Sequence, residues 1–296
     1  MFHGFIDGFS RLITGIRASN NNRAETVFAL FEDIVQVHGV PSRMRGDHGI
    51  ENGIVARWME VVRGLLRGSY IWGRYVHLLV FVACHVSNLF CRSVHNIRIE
   101  RLWRDLTNAF GAKWKLFFQN LELYEMLDLD SDAHIWLLHH IFLDAINNDA
   151  LDWAESWNNH TITICGERQR SPHDMFFFGM IQNGPRGIDP VDDNNIEDFD
   201  SYGIDWEDYD DDHILEHHRQ ANHSDNPGDN PFMSNRPERM TRVDVDAPGC
   251  PLTEDQIIYL NSQLNSLPYI NTRNMDSYRL IWISALRICE HMFPAS

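Results

Sequence analysis

The first 39 residues carry the pattern that most limits how this chain can fold, because they specify two strands and then a helix. Residues 2–7 are apolar up to an aspartate, and the glycine and serine that follow favour a tight turn into a second strand over residues 12–17. Apolar side chains then recur at helical spacing over residues 23–38, and the next residue is a glycine, as is typical of a helix end. Paired strands followed by a helix predict a mixed α/β domain.

Composition divides the chain into three parts. Residues 1–182 carry the signals of a folded core, with a further strand predicted at 42–45, helices at 54–66, 96–110, 113–127 and 134–147, and a short helix after the Ser-Pro pair at 171–172. The helix at 54–66 is expected to face inward through Trp58, Val61, Val62 and Leu65. Residues 183–250 are acidic, rich in Asn and Pro and poor in apolar residues, which predicts a disordered linker. Residues 251–296 regain helical periodicity and predict a short helical appendage.

The net charge of −17 is unusual for a protein that binds nucleic acid, because such proteins normally present Lys and Arg to phosphates. Its distribution removes most of the conflict, since twelve acidic residues and no Lys or Arg lie between Asp192 and Glu216. The charge therefore belongs mainly to the acidic tail that follows the predicted core, and it does not exclude a core that binds DNA.

The cysteines and the N-terminus bear on the compartment. None of the five cysteines forms a Cys-x-x-Cys pair, so neither a zinc ribbon nor a disulfide framework is indicated. The first residues lack the charged start and the long apolar stretch of a signal peptide. We therefore expect a nuclear or other intracellular location and no secretion.

Three acidic residues stand where a metal-binding trio requires them. Asp7 ends the first predicted strand, Asp47 follows the strand at 42–45, and Glu100 lies on the helix at 96–110. Carboxylates are hard oxygen ligands that suit Mg²⁺ or Mn²⁺. Two such ions can hold the attacking and the leaving oxygen of a phosphodiester, so converging carboxylates would indicate a polynucleotidyl transferase.

Four phrases carry a family resemblance, and they occur in the family's order: HGFIDGFSRLI, NNRAET, RGDHGIEN and HNIRIERLWRDL. Together they resemble the integrase core of retroviruses, retrotransposons and DDE transposases, in particular integrase-core proteins of transposon origin. The resemblance covers roughly residues 2–180. It implies a ribonuclease H-like mixed sheet flanked by helices, Mg²⁺ or Mn²⁺ as cofactor, DNA as partner, a homo-oligomer and no membrane association.

The resemblance also implies roles for individual residues. Asp7, Asp47 and Glu100 are the predicted catalytic and metal-binding residues. Predicted contacts with DNA come from the helix that bears Glu100, at Asn96, Arg98, Arg101 and Arg104.

Each of these residues also has a purely structural alternative. Asp7 and Asp47 could cap turns, and Glu100 could form an ordinary surface ion pair with Arg104. Asn96 could be a helix cap, the arginines could form a solvated face over a core Trp103, and His48 could lie in a solvated turn instead of approaching a phosphate. The apolar helix at 134–147 carries His134, His139 and His140, but core or surface histidines explain them better than a zinc site.

The spacing between Asp47 and Glu100 departs from the family's pattern. Here 52 residues separate them, and one apolar stretch of 17 residues, Tyr75–Cys91, accounts for the excess. We interpret this stretch as an insertion, or as intron sequence retained in the gene model, and a genuine extra strand or buried helix is the alternative. A membrane-spanning helix fits less well, because the stretch is at the short limit and carries two histidines and an asparagine. An insertion here could displace the helix of Glu100.

The leading functional prediction is a polynucleotidyl transferase of the DNA integration or transposition type that uses two divalent metal ions. One alternative keeps the fold without the chemistry, as a catalytically inactive, transposon-derived nucleic-acid-binding or scaffold protein. Another is a ribonuclease H-type nuclease that hydrolyses without strand transfer.

Overall fold

The computed structural model describes residues 1–47, 49–64, 68–72, 97–162, 169–184 and 245–293, with the backbone alone at 75–77, 91–93, 97, 100 and 183. Predictions made for His48, Leu65, Asn96, most of 75–91 and most of 183–250 lie outside these residues. The described chain is mixed α/β, mostly helical with small sheets. Its strands are β1 (Phe2–Ile6), β2 (Ile13–Ala18), β3 (Met44–Gly46), β4 (Tyr70–Trp72), β5 (Tyr75–His77) and β6 (Cys91–Ser93). Its helices are α1 (Ala24–His38), α2 (Gly53–Arg63), α3 (Ile97–Leu106), α4 (Ala112–Tyr124), α5 (Asp132–Asn159), α6 (Pro172–Asn183), α7 (Glu254–Asn265) and α8 (Met275–Met292).

The N-terminal hairpin confirms the predicted strand pair. β1 runs antiparallel to β2, with Phe2 opposite Ala18, and the register shifts by a bulge between Phe5 and Ile6. Side chains alternate across β1, so that Phe5 touches Phe31 of α1 while Phe2 packs edge-on against Phe110 on the opposite face. The hairpin is therefore covered by helices on both faces.

Helix α1 confirms the predicted helix and its end. Gly39 follows it with φ +82°, a conformation that favours glycine, and its N–H donates to the carbonyl oxygen of Val35 at 2.9 Å. The asparagines before the helix hold its start, because the Asn21 side chain accepts from the Arg23 N–H at 3.0 Å and from the Thr26 hydroxyl at 2.6 Å.

The segment from β3 to β4 forms a short parallel pair joined by a helix. Met44 pairs with Tyr70 and Gly46 with Trp72, and a 3₁₀ turn at Ile50–Asn52 leads into α2. The predicted inward face of α2 was wrong at Val61 and Val62, which are 77% and 46% exposed, but Trp58 does face inward and packs edge-on against Phe31. Instead the buried residues of α2 are Val55, Ala56 and Met59. Apolar residues occupy several faces of α2. Its buried face is therefore determined by the element that packs against it and not by the periodicity of its sequence.

The next two predicted helices are continuous. A π-helical turn at Thr107–Gly111 joins α3 directly to α4, and the Thr107 hydroxyl donates to the Trp103 carbonyl oxygen at 2.8 Å. Helix α5 extends from Asp132 to Asn159, well past the predicted end at 147. Helix α6 begins at Pro172, and the Ser171 hydroxyl caps it by accepting from the Asp174 N–H, as the Ser-Pro pair predicted.

Two hydrophobic clusters hold the described chain together. The large core joins β2, α3, α4 and α5 to the C-terminal helices, with Leu102, Trp114, Phe117, Phe142, Leu260, Ile281 and Trp282 among its buried residues. The small core lies between α1, α2 and β4, with Val27, Phe31, Val55, Ala56, Met59, Tyr70 and Trp72 buried. Helices α7 and α8 thus complete the large core through their own buried side chains.

The described strands form three separate pairs, β1–β2, β3–β4 and β5–β6. In the last pair Tyr75 lies opposite Ser93, and His77 lies opposite Cys91, in antiparallel register. The two ends of the stretch interpreted as an insertion are therefore neighbours in space.

Candidate active site

Asp7 lies in the turn that follows β1, and one of its carboxylate oxygens organises that turn. Its Oδ2 accepts from the Ser10 N–H at 2.7 Å, from the Ser10 hydroxyl at 2.7 Å and from the Phe9 N–H at 3.1 Å. Ser10 is fully buried, which fixes its hydroxyl in place. Within the described part of the chain, no donor reaches Asp7 Oδ1.

The end of α5 secures the same turn from the other side. Arg11 has φ +61°, and its backbone is held by an N–H bond to the Asp7 carbonyl oxygen at 3.1 Å and by the Trp157 Nε1–H, which donates to the Arg11 carbonyl oxygen at 3.0 Å. Asn158 bonds both backbone groups of Ile13, at 2.8 and 2.9 Å. Sequence reasoning did not assign these roles to Trp157 and Asn158, because the contacts span about 145 residues of chain.

Asp47 follows β3 and repeats the arrangement. Its Oδ1 accepts from the Asn52 side-chain amide at 2.7 Å and from the Gly49 N–H at 3.3 Å. Among the described residues no donor reaches its Oδ2. Unlike Asp7, this aspartate is exposed. Each aspartate therefore has one carboxylate oxygen held by hydrogen bonds within its turn and one carboxylate oxygen that no donor reaches among the described residues.

The charge of Asp47 raises the pKa of two neighbours, Glu51 and Tyr70. Burial raises the pKa of Glu51, its own backbone N–H lowers that pKa in part, and the Asp47 carboxylate raises it further. Burial also raises the pKa of Tyr70 well above its usual value, with a further contribution from both carboxylates. Gly46 permits this packing, because a Cβ there would lie 2.0 Å from the Tyr70 hydroxyl.

Helix α3 lies beside the hairpin with its N-terminal end near Asp7. A Cβ at Gly4 would lie 2.8 Å from the Trp103 ring, and one at Gly8 would lie 3.7 Å from Arg98 Nη1. These two contacts place the backbone of Glu100, which falls between Arg98 and Trp103, alongside the end of β1. The side chain of Glu100 is outside what the structure describes. Trp103 packs against the large core, as its structural alternative held.

Two arginines of α3 line a cavity, and two lie close to the carboxylate of Asp105. Arg101 Nε lies 3.7 Å from Asp105 Oδ2, and Arg104 Nε lies 3.6 Å from Asp105 Oδ1. Arg98 and Arg101 also line a cavity of about 220 Å³ next to the Asp7 turn. Basic side chains are therefore concentrated beside the first carboxylate.

A family model described as integrase core domain matches residues 1–82 and 78–187, together more than half of the chain. The chain belongs to the integrase core domain family. Neither a curated protein nor a solved structure matches it.

The family generally uses divalent metals and binds DNA, and the donor chemistry of this integrase core fits a hard cation. Asp7 and Asp47 each offer a carboxylate oxygen with no hydrogen-bond donor among the described residues. The described side chains do not include three His, Cys, Asp or Glu residues grouped to hold a metal ion, and Glu100 is not among those side chains. The metal-binding trio of Asp7, Asp47 and Glu100 therefore stays a prediction.

Two of the three histidines on α5 have ordinary partners, whereas His139 Nδ1 is buried without a hydrogen-bond partner among the described residues. His134 Nδ1 accepts from the Asp128 N–H at 3.0 Å, and His140 stacks on Trp136 and bonds the Asn261 side chain. Burial lowers the pKa of His38 at the end of α1, while a hydrogen bond to the Thr14 backbone and the charge of Asp7 raise that pKa in part. Across the described residues, the helices are too short or too polar to cross a membrane.

Proposed function

We propose that this protein is a polynucleotidyl transferase that cuts and joins DNA, with Asp7, Asp47 and Glu100 holding two Mg²⁺ or Mn²⁺ ions on a ribonuclease H-like core. The observation that carries the proposal is the shared design of the two aspartates. Each directly follows a strand, each has one oxygen fixed by hydrogen bonds within its turn, and each leaves its other oxygen without a donor among the described residues. Both aspartates also cap their turns, so the test of activity below distinguishes the catalytic role from the structural alternative.

The placement of α3 supports Glu100 as the third carboxylate. The contacts of Trp103 with Gly4 and of Arg98 with Gly8 fix the direction of the helix along β1. Glu100 is two residues from Arg98 and three from Trp103, so its backbone lies within about 4.5 Å of either residue along the helix axis. A carboxylate on a rigid helix beside a rigid strand end keeps its position without large entropic cost.

The chain's own residues prepare this site in two ways. Ser10 and Asn52 orient the two aspartates, so their free oxygens need no reorganisation when a ligand arrives. Arg98, Arg101 and Arg104 provide positive charge for the phosphates of DNA. Asn96 provides a polar contact with the DNA. When bound, the metal ions would lower the pKa of the attacking water or 3′-hydroxyl and offset the charge that develops on the phosphate. No covalent link between protein and DNA is required.

The decisive experiment measures cleavage and joining of labelled DNA by the purified protein with Mg²⁺ or Mn²⁺. We expect activity that Asp47→Asn reduces by about 1000-fold or more, because an amide is a poor ligand for a hard cation. Asp255→Asn on α7 removes an exposed carboxylate of the same kind and should leave activity unchanged. Equal rates for Asp47→Asn and the wild-type protein would exclude the proposal.

Product analysis separates the reaction types. Joined strands support the transferase, whereas hydrolysis alone of DNA or of an RNA–DNA hybrid would indicate a ribonuclease H-type nuclease.

A second function is favoured by the spacing between Asp47 and Glu100. The family match is split into two ranges that overlap at 78–82, inside the predicted insertion. A copy with a disturbed site would act as an inactive, transposon-derived nucleic-acid-binding or scaffold protein. Because β5 and β6 bring the ends of the stretch together, removing residues 75–91 should rejoin neighbouring points of the chain.

Deletion of these 17 residues therefore tests the second function. Activity that appears only in the deletion variant supports an insertion that inactivates the enzyme. Sequencing of the mature transcript tests the intron hypothesis separately, since a message that encodes residues 75–91 excludes it.

A further inference from the structure

The chain between α4 and α5 keeps large apolar side chains at the surface. Four of them lie within residues 123–129 and are each more than half exposed: Leu123, Tyr124, Met126 and Leu129. Single exposed apolar residues are common on protein surfaces, but a group of them indicates a surface that binds a partner. We name these four residues the apolar patch.

Hydrogen bonds and a buried leucine hold the backbone of the apolar patch in place. The Leu121 carbonyl oxygen accepts from the Glu125 N–H at 2.9 Å and from the Leu127 N–H at 3.1 Å. Leu127 is buried in the large core, and the Trp282 Nε1–H of α8 donates to the Glu125 carbonyl oxygen at 2.9 Å. The patch is therefore formed before a partner arrives, which lowers the entropic cost of binding.

Met126 reaches the surface at a cost to the backbone. Its φ is +56°, in the left-handed region that residues other than glycine rarely adopt. A methionine gains no buried contact in return for this strain, because its side chain is exposed. Strained residues of this kind cluster at binding sites, and the flexible thioether of methionine adapts to the shape of a partner.

Four exposed carboxylates accompany the apolar patch along the chain: those of Glu122, Asp128, Asp130 and Asp132. Among the described residues, none of the four has an ion-pair partner. Another acid, Glu125, is paired with Arg279 of α8. Residues 116–167 contain no Lys or Arg, so basic side chains reach this surface only from other parts of the chain. The apolar patch therefore lies in an excess of negative charge.

The sign of this charge selects the class of partner. DNA and the anionic face of a membrane carry phosphates, which the carboxylates repel. In a two-fold dimer joined through the patch, the four carboxylates of one copy would face the same four of the other, and like charges that face each other weaken binding. A protein segment with Lys and Arg beside its own apolar residues is attracted by both features.

We propose that the apolar patch and its four carboxylates bind a basic amphipathic segment of another protein. Tyr124 and Met126 provide the central contacts, because aromatic and methionine side chains are enriched where interfaces are buried. A helix with apolar residues at positions i, i+3, i+4 and i+7 and with Lys or Arg beside them fits such a surface.

This binding goes beyond the proposed reaction, because the patch is remote from the aspartates. Helix α5 begins next to the patch and ends at the Asp7 turn, which Trp157 and Asn158 contact. A helix of 28 residues is about 40 Å long. Failure of the proposed catalysis would therefore leave this inference standing.

The test uses synthetic peptides and the full-length protein. Fluorescence anisotropy would follow a labelled peptide of about 14 residues, four helical turns, built from Leu and Lys at amphipathic spacing. We expect a Kd on the order of 10 µM that rises with salt. A peptide with Glu in place of Lys, and one with Ser in place of Leu, should each bind at least about 10-fold more weakly. Equal binding by either control peptide would overturn the proposal.

Met126→Gly is the most informative variant, because glycine adopts φ +56° without strain and removes only the side chain. Leu123→Ala keeps a good helix former on α4. We expect each to weaken binding of the Leu–Lys peptide by about 5- to 10-fold. Leu151→Ala removes another exposed leucine, from α5, and should change the affinity by less than about twofold. Equal losses in Leu123→Ala and Leu151→Ala would contradict a defined patch.

A matched pair of variants tests the carboxylates. Glu122→Gln on α4 should weaken binding by about threefold and reduce its dependence on salt. Glu155→Gln neutralises another exposed glutamate, on α5, and should do neither. The same loss in both variants would mean a general charge effect and would overturn the proposal.

Two further measurements decide between occupants. Sedimentation velocity without peptide should give the same oligomeric state for Leu123→Ala and for the wild-type protein, whereas a change would identify a second copy as the occupant. Hydrogen exchange should show peptide-induced protection at residues 121–131. Protection confined to the acidic run Asp192–Glu216 would place the peptide there and overturn the proposal. Binding of DNA or of phosphatidylserine vesicles that Leu123→Ala weakens would also overturn it.

Discussion

The two aspartates stand on regions of very different strength. Asp7 lies in the turn of a hairpin that α1 covers on one face and the large core covers on the other, and Trp157 and Asn158 hold that turn by hydrogen bonds. Asp47 follows a three-residue strand that, among the described residues, pairs with one other short strand and packs against the small core. Local opening requires less free energy where fewer apolar contacts are lost. The difference indicates that the Asp7 carboxylate is held rigidly and that the Asp47 carboxylate moves more easily.

The C-terminal helices account for much of the strength of the large core. Asp149 on α5 accepts from Lys113 Nζ at 2.8 Å, from Trp114 Nε1 at 2.7 Å and from Arg273 Nη2 at 3.2 Å. Arg273 lies just before α8, so this carboxylate fastens the last helix to α4 and α5. Nothing equivalent links the small core to a second layer among the described residues.

The largest stability effect should come from Trp282→Ala, at about 3–5 kcal/mol. Trp282 is fully buried in the large core, and its Nε1–H donates to the Glu125 carbonyl oxygen at 2.9 Å. Urea denaturation would measure the loss, with Leu280→Ala on the exposed side of the same helix as control. A cost for Trp282→Ala no greater than that of the control would mean that α8 adds little to the core.

Met59→Ala should cost about 2–4 kcal/mol locally, because Met59 is fully buried in the small core. Hydrogen exchange would report where the cost falls. We expect faster exchange in β3 and α2 with little change in α4 and α5, since the two cores have separate buried residues. Val61→Ala, on the exposed face of α2, is the matched control. Uniform loss of protection throughout the protein would show that the two cores unfold together.

Asp149→Ala should cost about 1–3 kcal/mol, because it leaves the buried Trp114 Nε1–H without its acceptor. Burial opposes ionisation of Asp149, but hydrogen bonds from Lys113 and Trp114 and the nearby positive charges outweigh it and lower its pKa. Its contribution is therefore present above the ordinary aspartate pKa and is lost as pH falls through the lowered value.

The matched control for this carboxylate is Asp152→Ala, which removes an exposed partner of Arg273. Thermal denaturation at pH 7 and at pH 3 would compare the two variants. If the stability lost in Asp149→Ala is as large at pH 3 as at pH 7, the pKa of Asp149 is not lowered by folding.

Glu51→Gln should have the smallest effect, a gain below about 1 kcal/mol at neutral pH. Burial raises the pKa of Glu51, so the folded protein favours the protonated acid, and stability falls as pH rises from the ordinary glutamate pKa through the raised one. Glutamine removes this dependence while keeping the shape. Denaturation midpoints at several pH values would check it, with Glu60→Gln on α2 as control. A loss of stability in Glu51→Gln at neutral pH would reverse the expected sign.

Local features of the fold could be predicted from the sequence because their causes are local. The turn at Asp7, the end of α1 at Gly39 and the start of α6 at Pro172 depend on residues within a few positions of each other. Family resemblance added the expectation that Asp7 and Asp47 belong to one site, and the family match confirms the ancestry.

Features that depend on distant contacts could not be predicted in the same way. Periodicity gave α2 several equivalent apolar faces, and only packing against α1 selected Val55, Ala56 and Met59. The clamp of Trp157 and Asn158 on the Asp7 turn has no local signal, because both side chains bond backbone groups far away in sequence. The continuity of α3 with α4 depends on a π-helical turn, which has no sequence signature in this chain.

The shared core of α7 and α8 has a consequence for the integrity of the chain. The body before residue 185 and the segment after residue 244 meet at the Asn22–Val245 hydrogen bonds, at Asp149 and throughout the large core. Hydrolysis of a single peptide bond within residues 185–244 would therefore yield two fragments that remain associated through a hydrophobic interface. The protein would then persist as a heterodimer of its own pieces, and the two pieces could equally be supplied as separate polypeptides.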